Sequence, residues 1–156
     1  NIKSKNLTCV SPDAGGIERT RGLAKKINAD LAIIDKRRPQ AGKSQVMNVI
    51  GEIKNKNCII VDDIIDSGGT IVNAVDALIK KGARDVHVFV THAVLSGDAV
   101  NKIKKSKIKK LIITDTIDNS RRIKNVSKIQ VLSIAPLMAE AIKRISNSTS
   151  VSDLFN

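Results

Sequence analysis

Short runs of Val, Ile and Leu alternate with longer stretches in which apolar residues recur every three or four positions, and this alternation continues along the whole chain. Runs that are apolar at every position suit strands covered on both faces, and the amphipathic stretches suit the helices that cover them. Six strands are predicted in this way, at residues 7–10, 31–34, 58–61, 86–90, 111–114 and 131–134. Three helices are predicted between and after them. The first covers 17–27. The second covers 70–81, where Ile71, Val75 and Leu78 share a face and Gly82 supplies a stop. The third covers 136–145, where Leu137, Ala141 and Ile145 recur at helical spacing and Pro136 suits the first turn. The expectation is a single α/β domain with a mainly parallel, twisted sheet flanked by helices. Two stretches break the alternation. Residues 36–45, reading KRRPQAGKSQ, are basic, lack an apolar anchor and predict a mobile excursion able to close over an anion. Residues 116–128 predict a second polar connection.

A length of 156 residues is that of one ordinary domain with room for a real core, and 42% hydrophobic with 27% charged residues is a globular balance. No apolar run approaches the roughly 20 residues needed to cross a bilayer, so a soluble, cytoplasmic protein without a membrane partner is expected. The sequence begins at Asn1 without a Met, and neither a signal peptide nor a natural start is evident, which predicts a piece of something longer. Cys9 and Cys58 lie in predicted strands, far from any partner at metal-ligand spacing, and read as buried thiols. His87 and His92 read as structural for the same reason. A formal charge of +12 would attract any polyanion. With no Trp or Tyr and only two Phe, however, the aromatic platforms for stacked bases are missing, so nucleic acid is an unlikely partner.

The segment CIIVDDIIDSGGTI, residues 58–71, carries the chemistry. It reads as a buried strand ending in two carboxylates, followed by an acidic, glycine-containing turn and a helix. A loop entering a helix amino terminus from a strand's carboxyl end offers backbone N–H groups to an anion, and the helix dipole favours negative charge there. Gly68 and Gly69 allow the backbone to approach a phosphate closely, and Ser67 and Thr70 can donate hydroxyl hydrogen bonds. Carboxylates would repel that phosphate. Asp62 and Asp63 must therefore serve another part of the ligand, and vicinal sugar hydroxyls are suitable donors to them. A phosphate and a diol held a few ångströms apart describe a pentose phosphate.

This segment resembles the phosphoribosyl diphosphate motif shared by type I phosphoribosyltransferases and ribose-phosphate diphosphokinases. Three further segments resemble the second of these families: SPDAGG at 11–16, IDKRRP at 34–39, and, toward the end, THAVLSGDA at 91–99 with SVSDLF at 150–155. The resemblance spans nearly the whole chain and is to the carboxyl-terminal half of a two-half enzyme. It implies a type I phosphoribosyltransferase-like fold and transfer of the diphosphoryl group of ATP to the anomeric hydroxyl of ribose 5-phosphate. By that resemblance Asp13 helps hold Mg2+, and Lys36 and Arg38 stabilise the transferring group. Asp62 and Asp63 take the ribose hydroxyls, Ser67, Gly68, Gly69 and Thr70 the 5-phosphate, and Asp66 lies near the reacting end. Ser150 and Ser152 are expected at an effector site. The resemblance also implies that a missing amino-terminal half carries most ATP contacts, that the full-length enzyme is a homo-oligomer, and that this half alone can be inactive. A type I phosphoribosyltransferase and a noncatalytic regulatory relative are the alternatives. The absence of a recognisable base-binding hood argues against the first, and the retained Lys36 and Arg38 against the second.

Overall fold

The computed structural model describes residues 6–37 and 46–155. Seven strands form one sheet: β1 (Leu7–Ser11), β2 (Asp30–Arg37), β3 (Val46–Ile50), β4 (Asn57–Ile65), β5 (Asp85–Ala93), β6 (Lys110–Thr114) and β7 (Ile129–Leu132). Their spatial order is β3-β2-β1-β4-β5-β6-β7. Only the β2–β3 pair is antiparallel; every other neighbouring pair is parallel. The helices are α1 (Ile17–Lys26), α2 (Gly69–Lys80), α3 (Ala99–Lys105), α4 (Ser120–Ile123) and α5 (Ala135–Ser146), and a 3-10 turn covers Ser152–Phe155. This is the mainly parallel, helix-flanked α/β sheet expected from the pattern.

The middle strands are buried because both faces are covered. All five residues of β1 are buried, and Cys58, Ile60, Val86, Val88 and Leu111 have no more than 1% of their surface exposed. Helix α2 contributes Ile71, Ala74, Val75 and Leu78 to the same core, the i, i+3, i+4, i+7 stripe that the sequence shows. Cys9 and Cys58 are free and buried, and burial pushes the Cys58 thiol up to about 12, well outside the range of a reactive thiolate. Partial burial lowers the His87 pKa from its ordinary value, which favours the neutral ring.

Four features differ from the sequence expectation. Strand β2 runs on through Lys36 and Arg37, and Lys36 pairs with Met47 of the unforeseen edge strand β3, so Lys36 is held within the sheet and not in a mobile excursion. The remainder of that predicted excursion, 38–45, lies outside the described residues. Helix α3 was hidden because only Ala99 and Ile103 of its seven residues are buried. The connection at 116–128 contains the single turn α4, anchored by Ile123 and by the buried Asn119, whose Nδ2 donates to the Ala93 carbonyl at 2.6 Å. The last strand ends at Leu132, two residues earlier than expected, because Asp115 accepts the Ile134 N–H at 2.9 Å and so commits Ile134 to the start of α5.

Gly51 ends β3 with φ +112, and a Cβ there would lie 2.8 Å from the Leu31 carbonyl oxygen. Backbone cannot retreat as a flexible side-chain tip can. Gly51→Ala is therefore expected to lower unfolding free energy by about 2 kcal/mol, measurable by urea denaturation as a lower midpoint with an unchanged slope. The opposite edge is unusual for another reason. No residue of α5 is buried, and Leu137, Met138, Ile142 and Ile145, with Val131 and Leu132 of β7 and Phe155, leave their apolar side chains exposed.

Candidate functional site

Strand β1 lies inside the sheet, with β2 and β3 added on one side and β4 to β7 on the other. The loops leaving β1 and β4 therefore diverge to opposite sides and open a crevice at the carboxyl ends of these parallel strands, the place where such sheets bind ligands. The first loop carries Asp13 into α1, and the second carries Asp66, Ser67 and Gly68 into α2. Their side chains line one cavity of about 300 Å³, together with Asp62, Asp63 and Thr70. Eight candidates distant in sequence or chemically distinct are thus placed at one point: Asp13, Asp62, Asp63, Asp66, Ser67, Gly68 and Thr70 on the wall, and Gly69 at the helix start.

The loop has the geometry an anion needs. Gly68 precedes the first turn of α2 in the left-handed region at φ +75, where a side chain is strained, and a Cβ on Gly69 would meet nothing within 4 Å. The space over the helix start is open. The leading N–H groups of an α-helix have no partner within the helix and carry the positive end of its dipole.

Asp62 and Asp63 do not sit in the turn. They lie within β4, which stays paired with β5 as far as Ile65. Asp62 is the more enclosed, with 19% of its side chain exposed against 60% for Asp63. Arg19 of α1 bridges the two, Nη1 to Asp62 Oδ1 at 3.4 Å and Nη2 to Asp63 Oδ2 at 3.1 Å. Asp62 Oδ1 also accepts the Asp63 N–H at 3.0 Å, and Asp63 Oδ1 accepts the Ile64 N–H at 2.9 Å. Loss of hydration pushes the Asp62 carboxyl up. A hydrogen bond from the Asp62 carboxyl, and then the Arg19 charge, hold Asp63 down. Sequence reasoning missed Arg19. Its charge stands in the ordinary-looking run IERTR, and only the parallel packing of β1, α1 and β4 brings it over the two carboxylates.

Asp13 Oδ1 accepts the Gly16 N–H at 3.0 Å, and its Oδ2 lies 3.8 Å from Lys36 Nζ. The Lys36 side chain is 15% exposed, so a largely covered lysine places its ammonium group beside the acid lip of the crevice. A second cavity of about 440 Å³, largely apolar and lined by Ile17, Ile34, Lys36 and Ile50 among others, shares Asp13 with the first. Arg38 lies outside the described residues. Ser150 and Ser152 stand apart on the tail: Ser150 Oγ donates to Asp153 Oδ1 at 3.1 Å, Arg144 holds the Ser150 carbonyl at 2.7 Å, and Ser152 opens the 3-10 turn.

Fold and crevice together define a phosphoribosyltransferase-type α/β domain. The adenine phosphoribosyl transferase of Trypanosoma brucei has this fold, with a TM-score of 0.56 and 18% identity over 86% of this chain and 59% of that one. The chain belongs to the phosphoribosyl synthetase-associated domain family, whose sequence profile matches residues 25–156. It is 51% identical to the ribose-phosphate pyrophosphokinase of Maricaulis maris, over 100% of this chain and 50% of that protein. It is 52% identical to that of Brucella melitensis biotype 1, again over 100% and 50%. The phosphoribosylpyrophosphate synthetase from Mycobacterium smegmatis superposes with a TM-score of 0.81 and 36% identity, over 92% of this chain and 46% of that one. The chain spans about half the length of the curated relatives it matches. No helix among the described residues is long and apolar enough to cross a membrane.

Proposed function

We propose that this chain is the sugar-phosphate half of a ribose-phosphate diphosphokinase. In that reaction the anomeric oxygen of ribose 5-phosphate attacks the β-phosphorus of ATP, the bond from the β-phosphorus to the bridging α,β-oxygen breaks, and phosphoribosyl diphosphate and AMP leave, with one proton released to solvent. The observation that carries the reading is the single cavity in which the Ser67 to Thr70 loop and the Asp62–Asp63 pair meet. Backbone N–H groups and the hydroxyls of Ser67 and Thr70 take the 5-phosphate, Asp62 and Asp63 take the ribose hydroxyls, and Asp66 stands toward the reacting end. Close relatives named as ribose-phosphate pyrophosphokinases support it.

Diphosphoryl transfer asks little covalent work of the protein and much alignment and positive charge. Lys36 provides that charge at the crevice, with Arg38 as its expected companion. Mg2+ would neutralise phosphate oxygens of ATP. Among the described residues no group of three or more His, Cys, Asp or Glu side chains could enclose a metal ion. Mg2+ commonly takes only one or two carboxylates and shares the rest of its shell with substrate phosphates and water. Asp13, with half of its side chain exposed, fits that role.

The remaining half, expected to supply most ATP contacts, suits the uncovered apolar face of α5 and β7, since a contiguous exposed apolar face marks an interaction surface. Oligomerisation of the full-length enzyme and an effector contact at Ser150 and Ser152 belong to the same proposal. The test is calorimetric titration of this chain with ribose 5-phosphate and Mg2+. Saturable binding at a stoichiometry of about one is expected on a lone preformed site, and a flat trace up to millimolar ligand would sink the reading.

A further inference from the structure

We propose that Lys102 is a positioning residue for the phosphate loop: it pins the Ser67–Gly68 peptide so that the Gly68 N–H faces the anion. The inference rests on the sugar-phosphate reading of that loop and adds a residue that none of the motifs contains.

The loop is held from one side by three consecutive carbonyl contacts. The Leu95 N–H donates to the Ile65 carbonyl at 3.1 Å and the Ser96 N–H to the Asp66 carbonyl at 3.1 Å. Lys102 Nζ then donates to the Ser67 carbonyl at 3.3 Å. In a trans peptide the carbonyl and the following N–H point in opposite directions. Drawing the carbonyls of Ile65, Asp66 and Ser67 toward the 95–102 segment therefore turns the N–H groups of Asp66, Ser67 and Gly68 away from it. Ser67 and Gly68 line the cavity from which the phosphate is to be bound, and among the described residues those of 95–102 are not part of its wall. Hence the three N–H groups aim at the anion.

The first two contacts are backbone hydrogen bonds, fixed by the fold. The third depends on a side chain, and it holds the peptide most able to turn over, because Gly68 tolerates either sign of φ and would give little resistance to a flip. Helix α3 makes the third contact reachable. Ala99 packs beside Gly68, 3.8 Å from where a Cβ would lie, and Lys102 stands three residues later on the same helix face. The ammonium also places a full positive charge behind the loop, which the neutral N–H groups cannot do by themselves.

The experiment compares this chain with Lys102→Met and Lys102→Arg in titrations with ribose 5-phosphate and, separately, inorganic phosphate. The Met variant is expected to bind both about tenfold more weakly, as for one lost charged hydrogen bond. The Arg variant is expected to recover most of the loss. In the ligand-free Met variant the Gly68 amide resonance is expected to move, while the thermal midpoint stays, because Lys102 is exposed. Equal affinities for wild type and the Met variant, with an unmoved Gly68 resonance, overturn the assignment of Lys102 alone. Failure of the wild-type chain to bind either ligand overturns the sugar-phosphate reading and this inference with it.

Discussion

Asp62→Asn is expected to weaken ribose 5-phosphate binding at least about a hundredfold, with no loss of stability. An amide keeps the shape of the carboxyl group but replaces a charged acceptor with a neutral group that is half donor, so hydroxyls that donated to Asp62 meet an N–H instead. The stability expectation follows from the direction of the pKa. Burial raises the Asp62 carboxyl in the folded protein. The folded state therefore takes up the proton more readily than the unfolded chain, its advantage is full below the unfolded value, and that advantage is lost as pH rises through the folded value. At neutral pH the ionised Asp62 is thus a net cost to folding, and Asn removes it. A thermal midpoint that holds or rises, with the titration signal gone, separates a binding role from simple unfolding. A variant that still binds within about threefold of wild type, a difference below 1 kcal/mol, would remove Asp62 from the site. The same direction predicts that binding weakens on acidification while Asp62 gains its proton, at a higher pH than an ordinary exposed carboxylate would require.

Such a cost is expected of a binding site: groups chosen for a ligand are seldom those chosen for folding. Asp62 follows the apolar run Cys58 to Val61 on its strand, at the point where the sheet could have continued as apolar core. Arg19 offsets part of the resulting charge, and it does so from a helix more than forty positions earlier in the sequence.

That separation explains what could be read from the chain and what could not. The central strands were legible because their positions are apolar on both faces, a local property of the sequence. The strand, turn and helix that wall the crevice were legible because strand, acids, glycines and helix follow one another without a break from Asn57 to Lys80. Strand β3 was not, because VMNVI at a sheet edge is only half covered and mixes a polar residue into an apolar run. Helix α3 was not, because AVNKIKK buries only Ala99 and Ile103. Arg19 and Lys102 were invisible for a different reason. Each is an unremarkable cation in its own segment, and each acquires a role only when the parallel crossovers lay that segment beside β4 and the loop after it. The position of Lys36 required the same step: the basic run suggested a free excursion, whereas antiparallel pairing with β3 holds Lys36 on the sheet.

That placement leads to the second large effect. In a full-length protein carrying both halves, Lys36→Met is expected to lower kcat about 100- to 1,000-fold, the range for removing one preorganised group that stabilises transition-state charge. Ribose 5-phosphate affinity should change little, because Lys36 borders the Asp13 side of the crevice and not the phosphate loop. Met keeps a long apolar side chain along β2 and deletes the charge, so the strand retains its packing between β3 and β1. A lysine on a paired strand with 15% of its side chain exposed loses little freedom when substrate arrives, which is why its charge can act in the transition state at small entropic cost. The measurement is steady-state kinetics beside ribose 5-phosphate binding. A large fall in kcat with binding preserved assigns Lys36 to the transferring diphosphoryl group. A kcat within tenfold of wild type would leave the ion pair with Asp13 as a structural contact and move the electrostatic work to residues outside β2.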